Sequence, residues 1–331
     1  MIMSKTPLRV SLVGGGTDLP SFYENNEYGC VVSMAINRHI YIAINNRFDE
    51  KTRISYSRTE LVDSVDAIEN DRVRECFRHF GIENGLELFF ISDIPKNLGL
   101  GGSSAFTVGI TNTLYRVNGV EVSQKELARD ACIIEIDKLN NPIGKQDQYA
   151  TALGGLNYLR FNSDGSVENN PIPITNDLCE HLLYNLFFIY LHKQHDASQI
   201  LADVNKRIPE NNDIFLELRD IAEQLYIQLL RNDYDQFADL LGKSWALKKL
   251  TSSQISSQEV DELYERCLSN GAKAGKLLGA GGGGFLMIYV PSENHKLFLQ
   301  NMKGEKLLRF EVDDYGSKII HDDQNKITTF G

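Results

Sequence analysis

Apolar and polar positions alternate in short blocks through the first half of the chain. Residues 10–13, 31–36 and 40–44 are apolar and rich in β-branched side chains, the pattern of strands. Apolar residues at helical spacing over 66–80, closed by Gly81, predict a helix. Residues 86–91 are mostly apolar and predict a buried strand. A glycine-rich stretch follows at 97–106, and 105–117 then predicts a helix ending near Asn118-Gly119. Ser123-Gln-Lys-Glu126 has capping-box spacing. Its helix ends at Asn140-Asn141-Pro142, because proline disfavours helix in the residue before it. Residues 156–161 and 167–174 predict strands joined through Ser163-Asp164-Gly165.

The second half is more helical. Residues 197–206, 214–230, 234–250 and 257–269 carry apolar side chains at helical spacing. A glycine run at 279–284 leads to a strand at 285–290, and 306–312 predicts another. Composition shifts near 175–195, which divides the chain into domains 1–175 and 176–331. With 331 residues, 42% hydrophobic and 24% charged, the chain is expected to form one large or two ordinary domains with a sizeable core.

The net charge of -11 argues against nucleic acid or an anionic membrane as partner, but leaves room for a local basic pocket. Five scattered cysteines with no C-x-x-C pair argue against a disulfide framework or a zinc site and fit a reducing compartment. Lys5, Pro7 and Arg9 interrupt the N-terminus before a signal-peptide core forms. The most apolar run, 182–191, is too short to span a bilayer. A cytoplasmic protein is the expectation.

Three glycine-bearing stretches carry the candidate chemistry. In the first, Gly14, Gly15 and Gly16 follow a strand and precede Thr17 and Asp18. It reads as a tight turn, or as a turn that holds Asp18 against sugar hydroxyls. The second, Asn-Leu-Gly-Leu-Gly-Gly-Ser-Ser-Ala-Phe from Asn97, joins strand to helix. Its first helical amides would face an anion, with Ser103 and Ser104 serving as caps or as magnesium ligands. No lysine follows the glycines, so it is not a Walker A loop. The third, 279–284, has five glycines in six residues and is either a flexible lid or a site of close approach. Two carboxylates join them. Glu135 shares a helical face with Ala128, Ala131 and Cys132, and either pairs, sits on a metal or reaches water; Asp147 lies beyond the Pro142 break.

Together these features resemble the GHMP kinases, with three motifs in the family's order: Pro7 to Asp18, Pro95 to Ala105, and Lys276 to Gly284. The resemblance implies an α+β fold with an N-terminal ribosomal S5-like, ATP-binding domain and a C-terminal ferredoxin-like domain, ATP and substrate lying between them. It implies ATP contacts from Pro95, Gly99, Leu100, Gly101, Gly102, Ser103, Ser104 and Ala105, and Mg²⁺ on Ser104 (or Ser103) and Glu135. Asp147 matches the catalytic aspartate, and Arg9 a basic residue near the reacting oxygen. Substrate contacts are implied for Gly15, Gly16, Thr17, Asp18, Lys145, Gly281 and Gly282. The stretches 7–20, 144–150 and 245–261 look most like family members acting on the anomeric hydroxyl of heptose 7-phosphate; a non-phosphorylated sugar such as fucose is the alternative. Candidates for a sugar phosphate are Lys5, Arg38, His39, Arg53, Lys145 and Lys193. Two departures stand out: Gly102 replaces a usual serine, and His192, Lys193 and His195 occupy a place expected to hold a Thr-Gly pair and an arginine. The oligomeric state stays open, a homodimer included.

Overall fold

A computed structural model describes residues 1–192 and 197–323. Strands β1 (Ile2–Val13) and β2 (Tyr28–Asn46), separated by the one-turn helix α1 (Pro20–Tyr23), form the antiparallel centre of a first sheet. The strands expected at 31–36 and 40–44 are one 19-residue strand. Pro7 faces His39 while Leu8 faces Ile36, so Asn37 and Arg38 form a bulge where proline has no amide to give the ladder. The hairpin β3 (Thr52–Ser55) and β4 (Thr59–Val62) follows. Helix α2 (Asp71–His79) starts later than expected, because the Asn70 side chain accepts from the Val73 amide and caps it there.

Next come β5 (Leu86–Ser92), α3 (Gly102–Val117) and α4 (Gln124–Cys132). The capping box forms as expected, with Ser123 and Glu126 satisfying each other's amides. Past α4 the backbone widens into a π-helical turn, Ile133–Lys138, which carries Glu135. Helix α5 (Gln146–Leu153) and strands β6 (Leu156–Asn162) and β7 (Val167–Ile172) complete this part. The length of β2 lets it serve two partners on one side: β5 pairs with its C-terminal half and β6 with its N-terminal half.

The second layer begins with α6 (Asn176–His181) and β8 (Leu186–Tyr190). Helices α7 (Ala197–Arg207), α8 (Asn212–Leu230), α9 (Phe237–Thr251) and α10 (Gln258–Ser269) match the expected apolar spacing. Then come β9 (Ala274–Leu277), β10 (Phe285–Tyr289), α11 (His295–Asn301) and β11 (Leu307–Leu308). The strand expected over 306–312 is only these two residues, with a separate bridge from Val312 to Ile36. The order of the second sheet is β11-β8-β10-β9, all antiparallel. The final strand β12 (Lys318–Asp322) returns to the first sheet and pairs with β1.

One hydrophobic core crosses both layers. Val10 and Leu12 of β1 share it with Ile221 and Leu225 of α8 and with Phe285 of β10. Each such buried aliphatic side chain contributes about 1.5–3 kcal/mol. This shared core sets the walls of the cleft between the sheets. Among the described residues no helix is long and apolar enough to cross a membrane.

Candidate active site

The chain enters α3 through left-handed backbone at Asn97, Gly99 and Gly101. Gly101 is itself the N-cap, and no side chain caps the helix. Ser103 and Ser104 therefore are not caps; they sit in the first turn and face the cavity. The opening amides of this 16-residue helix have no side-chain partner at the cap, an end that favours an anion.

Arg9 on β1 reaches across to this loop. Its Nε and one terminal nitrogen donate to the two carboxylate oxygens of Asp147, each at 2.7 Å, and the other terminal nitrogen donates to the Gly99 carbonyl at 2.7 Å. Gly101 makes room, since a Cβ there would stand 2.9 Å from Arg9 Cγ. The Arg9 side chain is 5% exposed, whereas that of Asp147 is 25% exposed and lines the cavity. Asp147 lies in the first turn of α5, where a carboxylate is favoured. A bidentate arginine fixes both oxygens and still leaves lone pairs for an incoming hydroxyl.

Asp18 sits beside this pair. The amides of Gly16 and Gln146 donate to its two oxygens at 3.0 and 3.2 Å. Burial, and then the charge of Asp147, raise its pKa above the ordinary value. Gly144 is obligatory here, because a Cβ would lie 1.9 Å from Asp18 Oδ2. Two side chains that the motifs did not single out complete the wall. Ser11 Oγ and Gln146 Oε1 are buried without a partner, and both residues line the cavity. Ser11 follows Arg9 by two positions on the same strand, so strand periodicity puts both on one face.

Glu135 is fully buried. Arg72 Nε donates to one of its oxygens at 3.2 Å and Gln148 Nε2 to the other at 2.6 Å. Arg72, also missed from sequence, lines both the inner cavity and the cleft beside it.

The inner cavity is about 300 Å³ and draws its walls from both sheets; a cleft of about 960 Å³ adjoins it through Arg72, Asn97 and Ser103. Pro95 and Gly102 line that larger cleft, while Leu100 and Ala105 are buried behind the loop. The glycine run at 279–284 is packed against its neighbours: a Cβ on Gly279 would stand 2.4 Å from Gly99 Cα, one on Gly281 2.8 Å from Ile255 Cα, and one on Gly284 2.3 Å from the Leu98 carbonyl. Close backbone approach is the reason for these glycines.

Several expected substrate contacts lie elsewhere. Gly15, Gly16 and Asp18 line the cavity, but Thr17 is buried behind them. Its hydroxyl donates toward the Gly14 and Cys30 carbonyls and accepts from the Cys30 amide. Thr17→Val is expected to cost about 1–3 kcal/mol by stranding those buried groups. Chemical denaturation measures this, and the folded enzyme should keep its kcat. Lys145 turns away to the Gly165 carbonyl and the Tyr23 ring. Gly282 lines a separate hollow with His192 and Tyr190, and Gly281 packs on Ile255. Arg38 stacks on Phe310, His39 lies between Asp93 and Asp313, and Arg53 pairs with Glu87. None of these, nor Lys5, lines the cavity. Lys193 and His195 lie outside the described residues. Two lysines not proposed as phosphate ligands, Lys248 and Lys276, do line it.

Residues 56–155 match the GHMP kinases N terminal domain, and residues 225–302 match GHMP kinases C terminal. The chain belongs to the GHMP kinase family: a two-domain α+β sugar kinase that transfers phosphate from ATP to an alcohol group of a small molecule. Among its relatives is the D-glycero-alpha-D-manno-heptose 7-phosphate kinase of Campylobacter jejuni, 31% identical in an alignment of 316 positions that covers 89% of this chain and 91% of the relative. The bifunctional fucokinase/GDP-fucose pyrophosphorylase of Arabidopsis thaliana is 23% identical over 95% of this chain and 32% of its own length. A crystal structure of a D-glycero-D-manno-heptose 1-phosphate kinase from Bacteroides thetaiotaomicron shares the fold, with a TM-score of 0.79, 23% identity, and coverage of 98% of this chain and 100% of that one.

Proposed function

We propose that the chain transfers the γ-phosphoryl group of ATP, with Mg²⁺, to the anomeric hydroxyl of D-glycero-D-manno-heptose 7-phosphate. The Arg9–Asp147 pair beside the open start of α3 carries this reading. A sugar hydroxyl seated against Asp147 gives up its proton to the carboxylate as its oxygen bonds to phosphorus and the bond to the β-phosphate oxygen breaks. Arg9 offsets charge on the alkoxide as it forms, so a weak base suffices. Asp18, Ser11 and Gln146 offer acceptors and donors to the ring hydroxyls. The larger cleft beside Pro95 suits the nucleotide, its phosphates turned to the α3 amides. Such chemistry is chiefly positioning and charge neutralisation.

The oxygen donors present suit a hard divalent cation. Glu135 and Ser104 would hold Mg²⁺, and the buried, unpartnered Gln148 Oε1 lies on the amide that contacts Glu135. Bound there, Mg²⁺ supplies positive charge against the phosphates.

The name of the Campylobacter relative supports heptose 7-phosphate as acceptor, and that of the Arabidopsis relative supports a free sugar such as fucose as a second reading. An ATP-consumption screen over phosphorylated and free hexoses and heptoses separates them, with NMR of the product locating the new phosphate. Turnover that requires the acceptor's own phosphate is expected. Equal turnover of free fucose would replace the first reading by the second.

A further inference from the structure

We propose that Lys248 and Lys276, together with Arg9, form a built seat for a phosphate group on the floor of the inner cavity. The proposal rests on the kinase reading above for the source of that phosphate.

Lys276 lies in β9, where all four positions are buried, and is itself only 2% exposed. Its ammonium donates to the Leu12 carbonyl at 3.0 Å. Lys248, in the last turns of α9, donates to the carbonyl of Gly279, the residue that packs on Gly99. Each ammonium has three N–H donors, and a single carbonyl uses one of them. Among the described residues neither lysine forms an ion pair with a carboxylate. The carboxylates nearby are already engaged: Asp147 by Arg9, and Asp18 by two backbone amides.

The three cations feel one another. Burial, and then Arg9, push the Lys248 ammonium down to about 8, with only Asp18 acting the other way. Burial, then Lys248 and Arg9, hold Lys276 well below its usual range. In a chain of net charge -11, three basic side chains thus meet at one enclosed spot, where a bound anion would favour their charged forms. A buried cation without a counterion costs stability, and a structural carbonyl contact alone would be served equally by a neutral donor. The ligand that matches the unspent donors is a multiply charged anion with several acceptor oxygens, which is the chemistry of phosphate. Its source is either the acceptor's own phosphate or the phosphoryl group in transfer.

Lys248→Met and Lys276→Met test this. Removing the charge of buried Lys276, or of half-buried Lys248, should leave the melting temperature unchanged or higher. Calorimetric titration of the ligand-free protein with inorganic phosphate should show affinity weakened about tenfold or more, and Lys248→Arg should retain binding. Steady-state kinetics then identifies the source. A rise of about tenfold in KM for heptose 7-phosphate, with the KM for ATP held, assigns the acceptor's phosphate. A similar fall in kcat with both KM values held assigns the group in transfer. Wild-type phosphate binding together with wild-type kinetics in both variants would overturn the proposal, as would a lowered melting temperature with no change in binding. The titration needs no turnover. A protein that leaves heptose 7-phosphate untouched would sink that substrate reading while phosphate binding still judged the lysines.

Discussion

Asp147→Asn is expected to lower kcat by about 10²–10⁴-fold while leaving ATP affinity within a few-fold of wild type. The amide keeps the size of the carboxylate but cannot take the proton of an attacking hydroxyl. It also unbalances Arg9, whose Nε and one terminal nitrogen now meet two carboxylate oxygens at 2.7 Å. With an amide in place, one of these donors faces an NH₂ group, and a guanidinium that is 5% exposed loses its counterion. Part of the loss will therefore be misplacement of Arg9. Steady-state kinetics with an independent ATP titration checks this, and a variant with near-normal turnover would remove Asp147 from the role of base.

The second large effect is expected from Gly279→Ala. Gly279 has φ of 71°, and an added methyl would stand 2.4 Å from Gly99 Cα, with backbone rather than a movable side chain opposite. Left-handed strain of roughly 1–2 kcal/mol adds to overpacking of about 1–3 kcal/mol. A total loss of about 2–5 kcal/mol is expected from these two sources. Because Gly99 belongs to the loop opening α3, the KM for ATP should rise as well. Denaturant unfolding and ATP titration read the two consequences separately. Wild-type values for both would mean that the two glycine runs do not bear on each other.

What the sequence disclosed follows from how local each signal is. The capping box at Ser123 and Glu126, and the apolar spacing of α8 and α10, are written within one or two helical turns, and they appear as expected. The fusion of two expected strands into β2 was not legible, because its bulge is a property of the pairing with Pro7 and Leu8. Strands β3, β4, β8 and β9 have only four or five residues each, too few for a period to declare itself.

The site divides in the same way. Arg9, Asp18, Ser103, Ser104 and Asp147 sit in or near glycine-bearing stretches and meet around the cavity. Thr17 and Lys145 sit in such stretches too, but neighbours in sequence point to opposite sides of a turn, and both face protein. Arg72 and Lys248 carry no local mark, since what distinguishes them is a partner far along the chain. Lys276 did carry one, since it opens the third glycine-bearing motif.

The return of β12 to β1 bears on how the molecule comes into being. Ile2 pairs with Asp322, so the chain as far as residue 322 must leave the ribosome before the first strand gains its second neighbour. Until then β1 has an exposed edge of unpaired amides and carbonyls, the kind that recruits stray strands. Closure of so long a loop comes late and slowly. Residues 318–322 thus act as a latch on residues 2–5, and vectorial synthesis leaves that latch open until they emerge.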